Sequence, residues 1–173
     1  MVVDVDERYM EIALDLARRA RLCGEVPVGA VVVVGDEIVG RGHNASVARI
    51  DPTAHAEIVA IRDAASRIGN YRLVGSTLYC TVEPCLMCVG AMLHARVGRL
   101  VFGATEARVS ATSRLQELRD LGAGINHSFE TVGGVLAKEA AELLLDFFRE
   151  RRAVQRRPPT SMSSTSGEVP KWS

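Results

Sequence analysis

Two short runs of this 173-residue chain carry side chains that can do chemistry together: His55-Ala56-Glu57 and Pro84-Cys85-Leu86-Met87-Cys88. Cys85 and Cys88 are three residues apart, so on a helix they share one face and can hold a single metal ion. A catalytic zinc takes three protein ligands and keeps a fourth position for water. His55 completes a His-Cys-Cys set, and Glu57 remains as a carboxylate that can take a proton from that water and hand it on. The difficulty is angular, because two residues on an ideal helix are roughly 200° apart. The pair can converge at a helix start, where side chains fan around the end. Both runs stand at predicted helix starts, whose macrodipoles favour thiolates and a bound anion by about 0.3–1 kcal/mol each.

Each motif also has a plainer meaning. CxxC at a strand-to-helix junction suits a thioredoxin-type redox pair. A four-cysteine structural zinc needs a second pair, and Cys23 and Cys80 lie too far apart in the chain to form one. A lone HxE arises by chance. Specificity lies in the conjunction of HAE with PCxxC, each opening a helix. Cys80 reads as core and Cys23 as a packed or half-exposed thiol. His43, His94 and His127 are candidates for a fourth ligand or ordinary packed histidines.

The elements that must position these groups follow from periodicity. Residues 6–23 form an amphipathic helix closed by Gly24. The runs 26–34 and 37–43 read as a hairpin about Gly35-Asp36. Thr53 is the expected N-cap of a helix over 54–68. A strand over 76–82 leads to a helix from Pro84, as its first residue, to about Ala95. Then come a strand over 99–103, a short helix over 114–121, a strand over 129–135 and a closing helix from Lys138 to Arg152. This alternation predicts an α/β fold, a three-layer α/β/α sandwich around a mixed five-stranded sheet. Residues 1–152 form the expected domain; 153–173, basic and then rich in Pro and Ser, read as a disordered tail.

Composition fits a globular body, with 47% hydrophobic and 24% charged residues. A formal net charge of zero argues against a uniformly basic nucleic-acid coat. The zero hides a gradient: residues 1–17 are acidic, whereas 149–157 hold five arginines against Glu150. Nineteen of the 21 basic residues are arginine, a side chain suited to bidentate phosphate contacts. No run approaches the ~20 apolar residues of a membrane span, and the acidic start lacks the apolar region of a signal peptide. The expectation is a cytoplasmic protein with no membrane association.

Beyond these motifs, the chain resembles the bacterial tRNA-specific adenosine deaminases of the cytidine deaminase superfamily. EVPVGAVVV (25–33), DPTAHAEI (51–58), NYRL (70–73), TVEPCLMCVGAM (81–92), RVGRLVFGA (96–104) and DFFRERR (146–152) carry the resemblance. It implies a cytidine deaminase-like fold, a homodimer, one zinc per subunit, and conversion of adenosine to inosine at the wobble position of a tRNA anticodon loop. His55, Cys85 and Cys88 match the zinc ligands and Glu57 the proton shuttle. Asn44 matches an asparagine that holds the target nucleotide. Val28, Ala54 and Val82 match pocket walls. Phe148 and Arg151 match positions near the anticodon loop, where Glu106 also falls. The chain departs from the family pattern after Ala104, where TEARVSATSRL stands. Two alternatives remain at this stage: a deaminase of a free nucleobase or nucleoside, and a non-catalytic zinc-stabilised RNA-binding protein.

Overall fold

The computed structural model describes residues 4–105, 111–120 and 125–155. The first helix, α1 (Val5–Leu22), starts where the Asp4 carboxylate accepts the Asp6 N–H at 3.2 Å. It buries Tyr9, Met10, Ala13, Leu14, Leu16, Ala17 and Ala20, a three- and four-residue spacing that forms one stripe. Strands β1 (Gly29–Val34) and β2 (Glu37–His43) form the hairpin, turned at Gly35 with φ +60°. After the short α2 (Ser46–Arg49) come α3 (Ala56–Ile68), β3 (Ser76–Val82), α4 (Leu86–Ala95) and β4 (Arg99–Ala104). The order closes with α5 (Ala111–Asp120), β5 (Glu130–Gly133) and α6 (Ala137–Gln155).

The five strands lie in the order β2-β1-β3-β4-β5. β1 is antiparallel to both β2 and β3, and β3, β4 and β5 run parallel. Period-two alternation sorts their side chains into two cores. Val31, Val33, Tyr79 and Val101 pack under α1. Ala30, Val32, Leu78, Cys80, Leu100 and Phe102 pack under α3 and α4. Ala140 of α6 joins Leu14 and Ala104 on the α1 side, while Ala111 and Leu115 of α5 pack on Val89 of α4. The expected three-layer mixed sandwich is therefore the fold. Across the α1 layer, Arg99 grips both oxygens of Asp6 at 2.8 Å, and the Tyr79 hydroxyl donates to the same carboxylate at 2.9 Å.

Helix starts differ from the sequence expectation. Thr53 does not cap α3: its N–H and hydroxyl both bond the Asp51 carboxylate in the preceding turn, and His55 is the N-cap. Pro84 precedes the helix that it was expected to open, since Cys85 is the N-cap of α4 and Leu86 its first residue. α5 begins at Ala111, ahead of the expected 114, and α6 continues to Gln155. Sequence gave no hint of α2, which has no capping side chain of its own. The buried Glu25 supplies one, its Oε1 accepting the N–H groups of Val47 and Ala48 at 2.9 and 2.8 Å. Residues 156–173, most of the expected tail, lie outside the described residues. No helix among the described residues is long and apolar enough to cross a membrane.

Candidate active site

β2 presses α3 into place. A Cβ on Gly42 would stand 2.2 Å from the Ala56 carbonyl oxygen, and one on Gly40 2.3 Å from that of Ala60. Only a strand lacking those side chains lets the first two turns of α3 lie directly on it. The start of α3 is held at the same point by Asn44, just past β2, whose Oδ1 accepts the Ala56 N–H at 2.9 Å. Asn44 is itself tied to β1's approach, its N–H donating to the Val28 carbonyl at 3.1 Å.

These contacts free His55. It occupies the N-cap with extended backbone (φ −70°, ψ 154°) and does not cap its own helix. Cys85 does the same on α4 (φ −74°, ψ 170°). His55 thus stands outside the helix while Glu57 is inside its first turn, so the roughly 200° separation of an ideal helix does not apply. Cys88 is the third residue of α4, and N-cap and third-residue side chains lie side by side at a helix start.

Three ligand atoms converge. Cys85 Sγ to Cys88 Sγ is 3.6 Å, and His55 Nδ1 lies 3.6 Å from each sulfur. A tetrahedral zinc with Zn–S about 2.3 Å and Zn–N about 2.0 Å has edges of about 3.5–3.8 Å, so the donor set fits that ion. Among the described residues this is the only such cluster. His43 Nδ1 pairs with the Asn44 carbonyl at 2.9 Å, His127 Nε2 with that of Val97 at 2.7 Å, and His94 is exposed on α4. Cys80 is fully buried and its thiol donates to the Val82 carbonyl, while Cys23 is exposed.

The electrostatics follow from crowding. A hydrogen bond from the Cys88 thiol, aided by His55, pulls Cys85 down to about 3. The same sulfur contact, with burial, pushes Cys88 far above the usual thiol range. A divalent cation at this point would hold both sulfurs as thiolates. The hydrogen bond with Cys85 raises His55, against burial. Burial raises Glu57 above the usual carboxylate range, with a further push from Cys85.

Most of the anticipated residues share one cavity of about 260 Å³. Val28, Asn44, His55, Glu57, Val82, Cys85 and Phe148 line it. Cys88 is fully buried behind them. Ala54 is also fully buried and does not line the cavity; its carbonyl accepts the Ala45 N–H at 3.0 Å. Arg151 lies elsewhere, its guanidinium over the Phe147 ring at 5.0 Å and donating to the Gly24 carbonyl. Glu106 falls outside the described residues. Sequence reasoning missed Val26, Leu144 and Glu83 in the lining. Glu83 is buried and accepts the Thr112 hydroxyl, which couples α5 to the site. A carboxylate inside the otherwise apolar approach to Pro84-Cys85 was the available hint.

A mixed sheet that delivers one nitrogen, two sulfurs and a buried carboxyl at two helix starts, beside a small apolar pocket, defines a zinc-dependent deaminase of the cytidine deaminase type. Residues 3–104 match the family described as the cytidine and deoxycytidylate deaminase zinc-binding region. The chain is 50% identical over 151 residues to the tRNA-specific adenosine deaminase of Haemophilus influenzae, covering 86% of each chain. A solved structure from a study of A-to-I editing by tRNA:A34 deaminases at the wobble position superposes with a TM-score of 0.75 at 38% identity, over 79% of this chain and 99% of that one. The guanine deaminase of Nitrosomonas europaea is more distant, with a TM-score of 0.69 and 25% identity over 82% and 83%. The chain belongs to the tRNA-specific adenosine deaminase family.

Proposed function

We propose that this protein is a cytoplasmic, homodimeric hydrolase that converts adenosine to inosine at the wobble position of a tRNA anticodon loop, with one zinc per subunit. The observation that carries the proposal is the single cavity that joins the His55, Cys85 and Cys88 cluster to Glu57 and to the apolar walls Val28 and Val82. His55, Cys85 and Cys88 hold the metal. When bound, zinc supplies the Lewis acidity that makes water a nucleophile at neutral pH.

Every other role falls to the chain. Glu57 takes one proton of the attacking water and delivers it to the purine ring nitrogen as the C6–O bond forms, then carries the proton of the new C6 hydroxyl to the amine, which leaves as ammonia when the C6–N bond breaks. Its burial keeps bulk water from competing for that proton. Val28 and Val82 clasp the flat ring, with Ala54 behind. With Asn44 Oδ1 turned to the Ala56 N–H, the amide NH2 is the group directed to the target nucleotide. Phe148, 43% exposed at the mouth, provides a surface on which a neighbouring base can stack. Arg151 and Glu106 are assigned to flanking nucleotides. The homodimer accounts for Leu86 and Met87, exposed apolar residues immediately beside Cys85, which a second subunit would cover.

The test is incubation of the zinc-loaded protein with an anticodon stem-loop carrying A at the wobble position, scored for inosine against free adenosine, guanine and cytosine. The likeness to a guanine deaminase favours free-base deamination as the second reading. Free-base turnover without inosine in the stem-loop would establish that reading and end the first. Sedimentation of the loaded protein tests the dimer.

A further inference from the structure

A second concentration of positive charge lies outside the active site. A cavity of about 520 Å³ at the β2 edge gathers five arginines and a histidine from four elements: Arg19 of α1, Arg41 and His43 of β2, Arg49 of α2, and Arg62 and Arg67 of α3. One acid, Asp63, lines it with them. Asp63 pairs with Arg67 at 3.0 Å, and Arg62 stands 3.5 Å from Asp51. Arg41 bonds Asp63 through its backbone N–H, and its charge helps to lower that carboxyl's pKa without an ion pair. Arg19, Arg41 and Arg49 are exposed, and none forms an ion pair among the described residues.

Arginine on an edge strand can serve to discourage pairing with another strand. That accounts for Arg41 but not for Arg19, Arg49, Arg62 and Arg67, which arrive from three helices. Gathering them in one concavity sets like charges against one another and is relieved by a polyanion. The guanidinium fork matches phosphate oxygens. Val59, Arg62 and Arg67 follow one face of α3 over about 12 Å, longer than a single phosphate needs and suited to several in a row.

Position narrows the ligand further. His43 lines this groove and the next residue, Asn44, lines the active-site cavity, so one peptide unit separates the two. A strand whose base enters the cavity must carry its backbone away past that boundary.

We propose that this arginine groove holds the sugar-phosphate backbone of the substrate RNA flanking the target nucleotide. The proposal rests on the assignment of the enzyme to an RNA loop. The groove would orient the stem-loop through phosphates alone, adding affinity without sequence preference and leaving the chemical step untouched.

The zinc-loaded wild type is compared with Arg19→Gln/Arg41→Gln/Arg49→Gln, using a fluorescein-labelled anticodon stem-loop across a salt series. Anisotropy gives Kd and inosine formation gives kcat. Expected for the triple variant are a Kd raised about tenfold or more, a log–log salt slope shallower by about 0.7–0.9 per lost contact, and kcat at saturating RNA within about twofold of wild type. Should the triple variant melt early, Arg41→Gln and Arg49→Gln taken singly must each still lower the slope by about 0.7–0.9. Wild-type Kd and slope in the variants, while the wild type forms inosine, would overturn the groove and leave the function standing. So would a polyglutamate peptide that displaces the stem-loop as well as unlabelled RNA does, since the groove would then suit an acidic protein. If the wild type deaminates free bases and forms no inosine in the stem-loop, the functional assignment fails and the groove falls with it.

Discussion

Replacing Gly42 by alanine should damage the active site from the far side of α3. The new Cβ would lie 2.2 Å from the Ala56 carbonyl oxygen and 2.5 Å from the Ala60 nitrogen, both backbone atoms that cannot rotate away. Bringing the shorter contact even to 3.0 Å requires roughly 0.8 Å of helix displacement. Overpacking of this kind costs about 1–3 kcal/mol, and at about 2–4 °C per kcal/mol for a chain of this size the melting temperature should drop by about 2–12 °C. Function should suffer more. The displaced turn carries Glu57 and follows directly on His55, and a misplacement near 1 Å can lower a rate by about 10²-fold. Circular dichroism melting, zinc content and inosine formation on the stem-loop measure the three effects. Gly90→Ala is the control, because a Cβ there meets nothing within 4 Å and replaces glycine inside a helix. It should stabilise by about 0.5–1 kcal/mol. Wild-type melting and turnover in Gly42→Ala would refute the claim that β2 sets the position of α3.

Three further outcomes follow from the same geometry. Glu57→Gln should keep stoichiometric zinc, because the donor cluster does not include it, yet lose about 10²–10⁴ in rate; loss of metal in a folded variant would show that Glu57 is a ligand. Cys88→Ala should lose tightly bound zinc and melt earlier, since metal binding and folding are linked, and stoichiometric metal at an unchanged melting temperature would exclude Cys88 from the ligand set. Asp6→Asn should cost about 1–3 kcal/mol, because it removes the charge and one of the two oxygens that Arg99 grips. The hydrogen bond from Arg99 lowers the Asp6 pKa from 3.8, so its contribution is full above that value and disappears as pH falls through the lower folded pKa. The difference in melting temperature between wild type and Asp6→Asn should therefore shrink as pH falls below about 4, and a difference that stays constant or grows on acidification would contradict the ion-pair account.

The sequence by itself determined the chemistry and the layers. His55, Cys85 and Cys88 were legible because zinc accepts few side-chain types and a CxxC spacing brings two thiolates together wherever a helix begins. The strand Ser76–Val82 was legible to the residue, since a short run rich in β-branched and aromatic residues after Gly75 and before Pro84 reads as a buried strand. Tertiary structure decided where the helices start, and with it whether His55 and Glu57 could meet. Local rules favoured Thr53 and Pro84 as start signals. The actual cap of α3 is completed by Asn44, which the hairpin brings from 12 residues away. That of α2 comes from Glu25, more than 20 residues back. No local pattern records such contacts, because an orphan N–H at a helix start accepts any oxygen that the fold delivers. The same holds for the seat of Arg151 on Phe147 and the Gly24 carbonyl, which joins the end of the chain to its start. It holds above all for the arginine groove, whose members are scattered from 19 to 67 and converge only because the sheet places β2 at its edge between α1 and α3.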